Sequence, residues 1–148
     1  MTNSFSSDLG KKVLEVERAA ASLPQTTATA YFTVTGKVLI TQIVGEVTTV
    51  IQTQANNTKL ISNPTVGADV DLCAVNDITA DAAGTVYTIT GTLADAMVAT
   101  TSGAAAGQLG AVLVTAGTID LSCAASSTGA TSWVIQYVPF GNASITTA

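Results

Sequence analysis

The stretch KVLITQIVGEVTTVI, residues 37–51, constrains the fold more than any other part of the chain. It is dense in β-branched residues, which pack well on a pleated surface and lose rotamer freedom in a helix. It is too long for one straight strand, so Gly45 is expected to mark a bulge or bend. The same chemistry recurs along the rest of the chain. Thr, Val and Ile dominate short runs separated by Gly36, Asn56-Asn57, Asn63-Pro64, Asn76-Asp77, Gly84, Gly91, Gly117 and Gly129, residues that favour turns. Strands are predicted near 31–35, 38–44, 46–53, 59–62, 68–75, 85–90, 111–115, 118–124 and 132–139. TIDLSCA alternates cleanly, placing Ile119, Leu121 and Cys123 on one face. The small-residue run TSGAAAGQLG, 101–110, reads as a loop or packing spacer. Such a series predicts a mainly β fold, a single β-sandwich or jelly-roll-like domain.

The N-terminal region has a different pattern. Leu9, Val13, Val16 and Ala20 recur at i, i+4, i+7 and i+11, with Leu14 beside them, which predicts a short amphipathic helix over 7–21. Ser7 or Asp8 can cap its start, and Lys11 and Glu15 form an i,i+4 pair. Pro24 disfavours helical geometry at Leu23 and ends the segment. The uncharged strap PQTTATA follows. The chain thus divides into a helix and extended arm, 1–30, and a β body, 31–148. A helix of about four turns is marginal alone in water and needs a surface for its apolar stripe. That surface is either its own domain or a neighbouring subunit. In the second case Leu9, Val13, Val16, Leu23 and Pro24 are the candidate partner-interface residues.

Charge narrows the function classes. Charged residues make up 10% of the 148 and hydrophobic ones 47%, with a mean hydropathy of +0.46. An average soluble domain carries about 25% charge, so a surface this poor in charge is easier to understand when covered in an assembly. Polar residues interrupt every apolar run well short of the roughly 18 needed to span a membrane. The opening MTNSFSSDLGKK lacks the apolar core of a secretory signal. All five basic residues (Lys11, Lys12, Arg18, Lys37, Lys59) precede Leu60, and six aspartates follow it. That distribution argues against nucleic acid and anionic membranes as partners.

The residues for catalysis are sparse. Histidine is absent from the sequence, which removes the usual general base, most nucleophile triads and most transition-metal sites. Asp69 and Asp71, near Asn76, Asp77 and Asp81, could offer oxygen ligands, but they lack the DxDxDG-type loop that calcium favours. Cys73 and Cys123 form no CxxC and read as small buried apolar residues, or as one disulfide at most. GQLG lacks the lysine of a P-loop. The NNT at Asn56 and NAS at Asn142 match the glycosylation sequon, as expected by coincidence in an Asn/Thr-rich chain. No enzyme, metal or cofactor is expected.

Several segments resemble small virion structural proteins of tailed bacteriophages, most of all capsid decoration (cement) proteins. They are SLPQTTATAYFTVTG, GEVTTVIQTQANNTKLISNPT, VDLCAVNDI, DAAGTVYTITG and GTIDLSCAASSTGATSWVIQYVP, spanning most of 22–139. The resemblance implies a β-sandwich or jelly-roll-like body on the outer capsid surface, made in the host bacterial cytoplasm. It implies the major capsid protein as partner and self-association, typically as a trimer. Two alternatives are a carbohydrate-binding module of a phage fibre, with Trp133 or Tyr137 as its only aromatic platforms, and a tail or neck structural protein.

Overall fold

The computed structural model describes residues 13–101 and 103–148. These form twelve β-strands: β1 Leu14–Ser22, β2 Ala28–Thr35, β3 Val38–Thr49, β4 Asn57–Pro64, β5 Val70–Asp71, β6 Asn76–Asp77, β7 Val86–Thr88, β8 Val98–Thr100, β9 Val112–Val114, β10 Gly117–Cys123, β11 Ala130–Pro139 and β12 Ser144–Thr147. They assemble into two antiparallel sheets. One has the order β1-β11-β3-β7-β8, with β9 also on β3; the other runs β12-β2-β10-β4-β5, with β6 also on β4. The inward faces share one core, in which Phe32, Val38, Ile43, Ile78, Ile119, Leu121 and Ile135 are fully buried.

The predicted helix over 7–21 does not form where the chain is described. Residues 14–22 are instead strand β1, with Leu14, Val16 and Arg18 opposite Tyr137, Ile135 and Trp133 of β11. Leu, Glu, Arg and Ala favour helix locally, but the differences are tenths of a kcal/mol per residue. Without β1, the ten-residue strand β11 would be an uncovered sheet edge, and backbone pairing along it outweighs that preference. The same segment holds a period-two pattern, Leu14-x-Val16-x-Arg18, that serves a strand equally well. Residues 7–12 of the predicted helix, Leu9 included, lie outside the described residues.

Gly45 is not a bend either. β3 runs unbroken from Val38 to Thr49, and its register irregularities against β11 fall elsewhere, between Gln136 and Tyr137 and between Ala130 and Thr131. Gly45 pairs with Trp133 on one side and Tyr87 on the other. The Trp133 indole lies across the glycine, and its ring is 6.2 Å from that of Tyr87 at an interplanar angle of 23°. Lack of a side chain at Gly45 makes room for the indole.

The far edge of β3 is covered in two pieces. β9 pairs with residues 38–40 and β7 with 44–46, leaving the intervening backbone without a strand partner. Gln108 fills that gap. Its Oε1 accepts from Ile43 N at 3.2 Å, and its Nε2 donates to the carbonyls of Ile40 and Gly110 at 3.1 and 2.7 Å. The run expected to be a spacer therefore supplies a side chain that substitutes for a strand. Three further strands escape sequence expectation: β6, at the Asn76-Asp77 pair read as a turn; β8; and β12, whose Ile145 is buried.

The open sides of the two sheets are also tied together. On one, the Arg18 guanidinium sits 4.1 Å from the Tyr31 ring centroid and donates to the Ala148 carbonyl at 3.1 Å. On the other, Ala74 N donates to Asp95 O at 2.7 Å and Met97 N to Ala74 O at 3.0 Å.

Candidate interaction surface

Antiparallel winding sends the connections alternately to two ends of the body, and their chemistry differs sharply. One end carries residues 23–27, 50–56, 78–85 and 124–129, and its centre is Asn56, which is fully buried. Asn56 Nδ2 donates to Ala125 O and Ser127 Oγ at 3.4 and 3.2 Å, and its Oδ1 accepts from Ala125 N at 3.1 Å. Its backbone N–H donates to Asp77 Oδ1 at 2.8 Å. Around this core Gln52 accepts from Thr128 N, and Gln25 donates to the carbonyls of Leu23 and Ser127. This end spends its polar groups on itself. The NNT asparagine is thus a structural residue whose amide a glycan cannot reach.

Asp77 is the charged member of that network. The N–H of Asn56, then the hydroxyl and N–H of Thr79, hold its carboxyl below the usual aspartate range. A carboxylate depressed in this way stabilises the fold above its unfolded pKa of about 4 and loses that contribution as pH falls through the folded value. Asp77→Asn is therefore expected to flatten the fall in stability below about pH 4. Urea midpoints for both proteins at pH 7 and pH 3 test this, and parallel losses would refute it.

The opposite end, here the turn end, carries the β2–β3 turn at 36–37, the β9–β10 turn at 115–116, residues 65–67 after β4, residues 140–143 and the start of β1. Val66 is 88% exposed, Phe140 52% and Val13 46%. On the adjoining outer face, Val138, Leu39 and Leu113 form a cross-strand row, with Leu113 56% exposed. Gly36, Lys37, Thr65, Val66, Thr115 and Ala116 line a cleft of about 320 Å³ between these turns. Lys37 is exposed there and makes no ion pair among the described residues. This surface follows from neighbouring turns meeting in space, so helical periodicity could not reveal it.

The interface residues expected from the sequence do not form one stripe. Val13 is exposed at the turn end, whereas Val16 packs against the core from β1. Leu23 and Pro24 are buried within their own chain at the polar end, so they offer no free surface to a neighbour. Leu9 lies outside the described residues.

The other candidates find structural partners. Asp71 bonds Lys59 Nζ at 2.8 Å on the surface, and Asp81 accepts from Tyr87 Oη at 2.6 Å. Burial, with Asp81 adding to it, pushes the Tyr87 phenol well above its ordinary range. No group of three or more His, Cys, Asp or Glu is placed to hold a metal ion among the described residues. Cys73 and Cys123 are separate buried thiols, both pushed up by burial. Trp133 donates from Nε1 to Thr131 Oγ1 at 3.0 Å, and Tyr137 Oη accepts from Ile145 N at 3.1 Å. Both rings are buried, out of reach of a sugar.

Comparison with protein-family models, curated proteins and solved structures finds no match to this chain.

Proposed function

We propose that this chain is a non-enzymatic structural subunit that binds the outer surface of a tailed-phage capsid through its turn end. Its partners are the major capsid protein and further copies of itself, with a trimer as the assembly. The site of action is the virion surface, after synthesis in the host bacterial cytoplasm. The observation that carries the reading is the contrast between the two ends: one built around buried hydrogen bonds, with Val50 as its exposed large apolar residue, the other presenting Val66 and Phe140 to solvent beside Leu113 on the adjoining face. The strand orders β1-β11-β3-β7 and β2-β10-β4-β5 support a jelly-roll winding, an architecture that capsid and lectin domains share. The sequence resemblance to decoration proteins supplies the capsid as partner, because the fold alone does not specify function.

Magnitudes favour several copies acting together. Fully burying a Val, Leu or Phe side chain is worth about 1.5–3 kcal/mol. Three that are already partly covered supply about 3–6 kcal/mol. Association costs at least about 4 kcal/mol, so one subunit docking by this patch alone is marginal. Linked copies make the later contacts intramolecular and raise the net affinity. The paired substitution Val66→Asp with Phe140→Ser is expected to abolish retention on purified capsid shells while leaving the thermal transition in place. Retention unchanged in a folded variant would refute the turn end as the contact.

A further inference from the structure

We propose that β1 is an exchangeable strand: it leaves β11 of its own chain and pairs, in the same register, with β11 of a second copy. The inference concerns the free chain and does not depend on the capsid reading. Three observations carry it. First, the connection between β1 and β2 is short and strained. Only residues 23–27 join these strands, which belong to different sheets. Thr26 has φ = 56°, a left-handed conformation that is an outlier for a β-branched residue. Extending the hinge relieves it, and short hinges under strain favour exchange. Second, the hinge is not sealed into the body. A cleft of about 390 Å³ lies beside it, lined by Ser22, Gln25, Ser127, Thr128 and Gly129, and the 2.7 Å bond between the Thr26 and Ser126 hydroxyls is exposed. Third, β1 is lightly held. None of its nine residues is buried, and Val16 is its one hydrophobic residue packed against the core. Its register on β11 is interrupted between Arg18 and Ala21, and Arg18 Nε is buried with no hydrogen-bond partner among the described residues.

The acceptor selects the occupant. Stripped of β1, the ten-residue β11 is an open sheet edge, a template for another strand, and the strand that fits its register is β1 itself. On a second copy every pair re-forms, from Leu14 opposite Tyr137 to Ser22 opposite Ala130. Leu23 and Pro24 precede the hinge and travel with β1 to the equivalent buried seats. Closed and exchanged forms then differ mainly in the hinge and in the entropy of association, the condition that makes exchange a low-cost route to oligomers. Higher protein concentration shifts the balance toward exchange.

Glu15 lies opposite Gln136, and their side chains meet at 3.4 Å on the surface, so a cysteine at each reports which β11 holds β1. Glu15→Cys and Gln136→Cys are made in separate chains, unfolded together in urea, refolded at high concentration and treated with oxidised glutathione. Peptide mapping by non-reducing mass spectrometry should find a 15–136 disulfide joining one chain of each kind. Thr26→Gly in both chains removes the strain from the closed form and should lower the yield several-fold. Thr26→Pro cannot adopt a positive φ and should raise it several-fold. Refolding to monomers with no 15–136 link would overturn the proposal. So would links found only between two Glu15→Cys chains, which mark edge-to-edge pairing of β1, or a yield that neither Thr26 variant moves. None of these results bears on whether Val66 and Phe140 contact a shell.

Discussion

Gly45→Ala is expected to lower the melting temperature by about 5–10 °C, from an overpacking cost of about 3 kcal/mol in a domain of this size. A Cβ at position 45 would lie 2.6–2.7 Å from three atoms of the Trp133 ring, well inside the roughly 3.5–4.0 Å of a carbon contact. The indole cannot easily move away. Its Nε1 is bonded to Thr131, its face is stacked with Tyr87, and the Tyr87 hydroxyl is bonded to Asp81. The clash is therefore with a ring held on several sides. Shrinking the obstacle should return part of the loss: Gly45→Ala is expected to cost less in a Trp133→Phe background, a coupling that a double-mutant cycle measures. A melting temperature unchanged by Gly45→Ala, or equal costs in both backgrounds, would show that β3 accommodates a side chain there.

The second large effect is at the other end. Asn56→Ala removes one side chain that serves both backbone groups of Ala125 and the buried hydroxyl of Ser127. Each buried polar group left without a partner costs about 1–3 kcal/mol. Ser127 keeps a contact to Gln54, so the expected total is about 3–4 kcal/mol rather than the full sum. Urea unfolding should show a lower midpoint with an unchanged slope, the mark of a change in stability rather than in the denatured chain. A shift below about 1 kcal/mol would mean that the 124–129 loop finds other partners.

These residues also show what a sequence can disclose. The β character was legible because Val, Ile and Thr cluster between turn formers, and Ile119, Leu121 and Cys123 do share the buried face that their alternation predicts. Gly45 was conspicuous, yet its reason was not, because it lies in Trp133, 88 positions away and adjacent only through strand pairing. β1 was misread because its helical stripe and its period-two pattern share the same residues, and the deciding term is an edge on β11 that only tertiary structure supplies. Gln108 was hidden in low-complexity sequence, since nothing local signals that its amide completes a gap along β3. The candidate surface was the least legible part. Val66, Leu113 and Phe140 belong to separate segments, and the alternation of turns between two ends brings them together.

On the proposed function, the apolar turn end attaches many copies of this chain to a capsid shell. Quantitative mass spectrometry of purified phage particles, giving copies of this chain relative to the major capsid protein, tests it most directly. The expected number is comparable with that of the capsid protein, reduced to background when Val66→Asp and Phe140→Ser are introduced together. Only a handful of copies would contradict it and move the chain to the tail or neck. Absence from the particle would end the virion reading.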